Sequence, residues 1–223
     1  MRLCLFDAYG TLFDVHSAVR RHAAVLGPKA EPVSLMWRAR QLEYSWVRSL
    51  AGRYVDFWQV TTDALDHSLA AHGIADPALR ASLLDAYLGL EAYPEVLAVL
   101  MELRGAGVVT GILSNGSPMM LERAVKSAAL AELLDGVVSV DELRVYKPDP
   151  RVYALACERF AAAPEDVAFV SSNAWDAAGA AAAGFRAHWV DRAGQPREYP
   201  DFGPVVPLTD LSTLPALVAA ERP

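Results

Sequence analysis

The chain opens on a short apolar run, Leu3-Cys4-Leu5-Phe6, that stops at Asp7. A run of this length closed by a charge reads as a buried strand delivering a carboxylate to its tip, and Gly10 just beyond it lets the chain turn sharply. The pattern then changes to helical spacing. Leu35, Leu42, Trp46 and Leu50, then Phe57, Trp58, Leu65 and Leu69, recur at helical intervals with Arg, Glu and Asp between them. Gly52 and Gly73 mark breaks between helices, and Asp76 ahead of Pro77 supplies an N-cap followed by a first-turn proline. From residue 94 helix and strand alternate: helices over 94–105, 118–129, 150–161 and 174–183 each lead to a strand-length run, at 108–113, 136–140, 167–170 and 186–190. Such alternation builds a parallel sheet covered by helices, because parallel neighbours need a right-handed crossover. The prediction is an α/β core formed by residues 1–14 and 94–223, interrupted by a helical cap subdomain over 15–93. The stretch from 191 to 223 is expected to add a strand and a final helix.

With 223 residues and 53% hydrophobic content, the chain can bury a full core, yet no apolar stretch is long enough for a membrane span. The start of the chain, with Arg2 and then a strand-length run, does not read as a secretory signal. A net charge of −7 without a basic stripe argues against nucleic acid or an anionic membrane as partner. Cys4 and Cys157 sit far apart inside apolar patterns, as reduced core thiols do, which points to a cytoplasmic protein. The five histidines are scattered without ligand spacing, so no metal site is expected from them.

The chemistry lies where polar residues meet strand ends. Asp7 follows the first strand, Ser114-Asn115-Gly116 follows Leu113, Lys147 precedes Pro148-Asp149-Pro150 in a loop, and Ser171-Ser172-Asn173-Ala174-Trp175-Asp176 follows Val170. The C-terminal tips of parallel strands share one edge, so groups far apart in sequence can converge there. Taken singly, each has a plain explanation: Ser-Asn-Gly as a turn, Lys147 as a solvated charge, Asp176 as a first-turn acid.

These segments, together with Asp7-Ala8-Tyr9-Gly10-Thr11-Leu12 and the insert's Leu35-Met36-Trp37-Arg38 and Gln41-Leu42-Glu43-Tyr44-Ser45-Trp46, closely resemble the haloacid dehalogenase (HAD) superfamily, and within it the L-2-haloacid dehalogenases. The resemblance runs from about residue 3 to 192 and implies a Rossmann-like parallel sheet core of the HAD type with an inserted helical cap. It also implies hydrolysis of short 2-haloalkanoic acids to 2-hydroxy acids by a homodimer, with no cofactor beyond water.

In that reading Asp7 attacks the α-carbon and displaces halide; Lys147 keeps Asp7 ionised; Asp176 activates the water that cleaves the resulting ester, aided by Ser171 and Asn173; and Thr11 and Tyr153 support the network. The substrate carboxylate is expected against Ser114, Asn115 and the following helix amides. Arg38, preferred over Arg40, receives the halide, while Tyr9, Leu42, Phe57 and Trp175 wall an apolar pocket.

Most of the superfamily resembles phosphatases, in which an aspartate two residues after the nucleophile serves as acid and base and further acids bind magnesium. Here Tyr9 takes the first place, and Ser171 and Ser172 stand where metal-binding acids are expected. A phenol with a pKa near ~10 is poorly matched to protonating an alkoxide, and hydroxyls replace carboxylates badly around magnesium. A halide leaves without a proton. A HAD-type phosphatase or phosphotransferase acting on a small metabolite is the alternative, and a non-catalytic binding protein the third reading.

Overall fold

The computed structural model describes residues 3–220, so Met1, Arg2 and residues 221–223 of the predicted core lie outside the described residues. Six strands form one sheet: β1 (Leu3–Phe6), β2 (Val109–Ser114), β3 (Gly136–Ser139), β4 (Val167–Ser171), β5 (Arg186–Val190) and β6 (Val205–Leu208). Their order is β3-β2-β1-β4-β5-β6, every neighbouring pair is parallel, and β1, β2 and β4 are almost entirely buried. Burial on both faces is why these strands read as continuous apolar runs instead of alternating ones.

The first strand lies at the centre. The chain builds β2 and β3 on one side of β1 and then returns to build β4, β5 and β6 on the other, so the crevice beyond β1 is the point where the winding reverses. Phe6 is in register with Ile112 and Val170, and the Asp7 amide still donates to the Val170 carbonyl at 2.9 Å. Asp7 therefore stands level with the ends of both neighbours.

Helices α1 (Ser17–Arg20), α2 (Ala23–Leu26), α3 (Ala30–Leu50), α4 (Phe57–Ala71) and α5 (Pro77–Leu88) fill the interval between β1 and the rest of the sheet. The later helices are α6 (Val96–Gly105), α7 (Pro118–Ser127), α8 (Pro150–Phe160), α9 (Ala174–Ala182) and α10 (Leu214–Ala220). The chain leaves and re-enters the sheet along paired segments: Phe13 bridges Ala92 antiparallel, Asp14 N donates to Glu91 O at 2.8 Å, and Tyr93 N to Leu12 O at 3.0 Å. The predicted caps and breaks stand where expected. Asp76 accepts from Ala78 N and Leu79 N with Pro77 in the first turn, and Gly52 and Gly73 follow α3 and α4 with φ of +63° and +64°.

The helical spacing read over this stretch is that of α3, but its apolar positions are not its most buried ones: Leu35 is 55% and Leu50 90% exposed, whereas Val33, Ser34, Trp37, Gln41 and Ser45 are buried. Small and hydrogen-bonding side chains let α3 and α4 approach closely, with Ser68 Oγ donating to Val33 O at 2.9 Å and the Trp37 indole N–H to Thr61 O at 2.9 Å. No helix among the described residues is long and apolar enough to cross a membrane.

Candidate active site

Asp7, 6% exposed, sits at the tip of β1 and accepts from three directions. Lys147 Nζ lies 3.2 Å from its Oδ1, while Asn173 Nδ2 at 2.9 Å and Thr11 Oγ1 at 3.2 Å donate to its Oδ2. Lys147 is buried in turn and reaches Asp176 Oδ2 at 2.8 Å, so one ammonium lies between two carboxylates. Removing those three charges from water is costly, and their mutual contact offsets the cost. The Asn115 side-chain oxygen accepts from Lys147 N at 2.9 Å, which fixes the loop that carries the ammonium.

Asp176 is fully buried in the first turn of α9, and burial, its largest influence, pushes its pKa up to about 6 against the opposing pull of Lys147. Tyr153, from α8, donates its hydroxyl to Asp176 Oδ1 at 2.9 Å. It reaches that oxygen because Gly179, one turn along α9, has no side chain: a Cβ there would collide with the Tyr153 hydroxyl. Burial, reinforced by Asp176, holds the Tyr153 phenol well above its ordinary pKa, so it stays a donor. Ser171 Oγ accepts from Asn173 N at 3.1 Å, and Thr11 Oγ1 accepts from Ser172 N at 2.8 Å. Ser114, fully buried at the end of β2, accepts from Gly116 N at 3.1 Å and shapes the turn into α7.

From the helical side Arg38 reaches across the crevice. Its Nη2 donates to Tyr9 O at 3.0 Å and to Asn173 Oδ1 at 3.1 Å. Arg40 points elsewhere and pairs with Glu43 at 2.5 Å. Tyr9 is buried, stacked on Tyr87 with centroids 5.8 Å apart and interplanar angle 13°, and lies 6.0 Å from Phe57. Desolvation, then the neighbouring Tyr87 and Asp7, raise its phenol well above the usual range, so Tyr9 keeps its proton. Trp175 is half-buried and meets Trp46 edge-on at 5.4 Å; both line a cavity of about 500 Å³ with Lys147, Tyr146, Tyr199 and Phe202. Leu42 is half-buried on α3. A larger cavity, about 740 Å³, lies beside β3 and holds none of the predicted site residues.

A metal fits this arrangement poorly. Asp7 and Asp176 are already bridged by an ammonium, Ser171 and Ser172 offer neutral oxygens, and among the described residues no three His, Cys, Asp or Glu side chains converge as ligands. The sequence reading missed Gln41, Thr61 and Tyr87, which meet behind Arg38: Gln41 Oε1 accepts from Arg38 Nη1 at 2.8 Å, and its Nε2 donates to Thr61 Oγ1 at 2.7 Å and to Tyr87 OH at 3.0 Å. The available signal was the spacing of Gln41 one helical turn after Arg38.

A buried carboxylate at the switch point of such a sheet, countered by a lysine and faced by a helical layer, is the arrangement of a class of hydrolase, and comparison with known proteins agrees. Residues 1–184 match the family model described as haloacid dehalogenase-like hydrolase, and the chain belongs to that family. Within it the chain stands with the (S)-2-haloacid dehalogenases. It is 51% identical to (S)-2-haloacid dehalogenase 1 of Pseudomonas sp. (strain CBS-3), over 98% of this chain and 96% of that protein. It is 48% identical to (S)-2-haloacid dehalogenase 4A of Burkholderia cepacia, over 92% and 89%. A solved L-2-haloacid dehalogenase from Xanthobacter autotrophicus with chloropropionic acid covalently bound superposes with a TM-score of 0.89 at 37% identity, covering 100% of both chains.

Proposed function

We propose that this protein hydrolyses short-chain L-2-haloalkanoic acids to D-2-hydroxy acids through an ester on Asp7, with residues 15–93 serving as the cap over the reaction. The observation that carries the reading is the buried Lys147 ammonium shared by Asp7 and Asp176, where a phosphatase needs a divalent cation and an acid. Oδ2 of Asp7 receives two hydrogen bonds and Oδ1 only that of Lys147 among the described contacts, so Oδ1 is the freer oxygen for attack. Its lone pair forms the C–O bond as the carbon–halogen electrons leave with the halide toward Arg38; in-line displacement inverts the carbon. Asp176 then takes a proton from water as the water oxygen adds to the ester carbonyl carbon of Asp7; the bond from that carbon to the substrate oxygen breaks, the departing alkoxide recovers the proton to leave as the hydroxy acid, and Asp7 returns to a carboxylate carrying the oxygen from water. The halide leaves without a proton, which suits a site whose tyrosines retain theirs. The donor set supports a reaction without metal and does not favour the phosphatase alternative.

The outward apolar residues of α3, Leu35, Val47 and Leu50, support association into a homodimer, to be checked by sedimentation velocity. Cys4 is buried in β1 and Cys157 half-buried in α8, in keeping with reduced thiols in a cytoplasmic setting.

The deciding experiment incubates pure protein with L- or D-2-chloropropionate plus a chelator and follows chloride. Release from the L form alone, resistant to chelation and lost in freshly purified Asp7→Asn, is expected. In heavy-oxygen water a single turnover should place label in Asp7 first; label appearing directly in the product, or halide release that requires a divalent ion, would overturn the reading.

A further inference from the structure

We propose that Gln41 is a positioning residue that aims the Arg38 guanidinium at the departing halide, and thereby sets how well the enzyme expels its poorer leaving groups. The proposal rests on the dehalogenase reading and on Arg38 as the halide acceptor.

Gln41 is 1% exposed in the middle of α3. The orientation of its amide follows from its partners. Thr61 Oγ1 commits its hydrogen to Phe57 O at 2.6 Å, so toward Gln41 it can only accept, and the group facing it at 2.7 Å must be the NH2. The same NH2 lies 3.0 Å from Tyr87 OH. Oε1 is then turned toward Arg38 Nη1 at 2.8 Å and also lies 3.2 Å from Tyr87 OH. A flipped amide would set N–H against guanidinium N–H.

The supporting groups are themselves fixed. Tyr87 stacks on Tyr9 and lies 4.9 Å from the Trp37 ring, and Trp37 holds the Thr61 carbonyl. Arg38 is consequently gripped from two sides: Gln41, tied to α4 through Thr61 and to α5 through Tyr87, takes Nη1, while Tyr9 O and Asn173 Oδ1 take Nη2.

The chemistry of position 41 matters as much as its geometry. Each of these acceptors is neutral. A buried carboxylate at the same place would accept the hydrogen bond but cancel the guanidinium charge; an amide orients the cation and leaves its charge for the halide. Chloride departs less readily than bromide, so its transition state depends more on a well-aimed cation.

The test measures single-turnover release of chloride and bromide from the L-2-halopropionates by rapid quench, with hydrolysis of the trapped ester followed separately. Gln41→Met should slow chloride release by about tenfold and bromide release less, raising the bromide-to-chloride ratio, while ester hydrolysis keeps its wild-type rate. Thr61→Val, nearly identical in shape, should move the ratio the same way by roughly threefold and decides the matter alone if Gln41→Met does not fold. In an Arg38→Met background, Gln41→Met should add no further loss. An unchanged ratio in the folded variants, or an equal loss with Arg38 already removed, overturns the role of Gln41. Absence of halide release from the wild-type protein overturns the dehalogenase reading and this proposal with it, and an Arg38→Met protein with the wild-type ratio overturns Arg38 as halide acceptor.

Discussion

At the sheet edge Asp7, Lys147 and Asp176 hold one another by charge in full burial; across the crevice Arg38, half-buried on α3, is held by neutral oxygens of Gln41, Tyr9 and Asn173. The two sides meet at Asn173, whose amide nitrogen donates to Asp7 while its oxygen accepts from Arg38. Structure and chemistry are closely tied at the strand tips, because removing the Lys147 charge leaves two buried carboxylates facing each other without their counter-charge. The helical side separates them. Its half-buried cation is oriented by hydrogen bonds to neutral oxygens and its loss leaves no buried charge behind, so it can fail in catalysis while the fold persists.

The sharpest break is at Asp7 itself. Asp7→Ala removes the attacking oxygen, and halide release from L-2-chloropropionate should fall by at least about 10⁴-fold in a chloride assay; retention of turnover would mean that water attacks carbon directly. Next comes Lys147→Met, which leaves Asp7 and Asp176 facing each other unpaired. Urea unfolding should show a loss of about 3–5 kcal/mol in addition to lost activity.

Arg38→Met provides the contrast. Halide release should drop by about 10²–10³-fold, whereas unfolding should shift by only about 1–2 kcal/mol. Should its stability loss equal that of Lys147→Met, the division between the two sides is wrong. The mildest probe is pH. Asp176 must be ionised to accept a proton from water and its pKa is raised to about 6, so ester hydrolysis should fall about tenfold per pH unit below that value and level off above it. The alkylation step, followed by chloride burst, should lack this limb, and Asp176→Asn should abolish it along with the hydrolysis.

The strand-tip half was readable in the chain. Buried parallel strands are short apolar runs, and each predicted run ends where polar residues begin, so Asp7, Ser114, Ser171 and Asn173 could be assigned to one edge before any geometry was available. Asp76-Pro77, Gly52 and Gly73 likewise announced helix boundaries through purely local preferences. The helical half was readable only as helices. Periodicity marks the leucines of α3, yet its contacts with α4 run through Trp37 and Gln41, the latter a residue whose polarity suggests solvent until its partners are known.

What the sequence by itself determined is the set of elements and the chemistry at their ends, since both depend on spacing along one segment and on the identity of single side chains. Only the tertiary structure decided that Lys147 reaches two carboxylates, that Gly179 makes room for Tyr153, and that Gln41 turns its oxygen to Arg38. These contacts join residues from different segments, and whether a polar group is an exposed surface or a buried constraint depends on which partner the fold brings within about 3 Å of it.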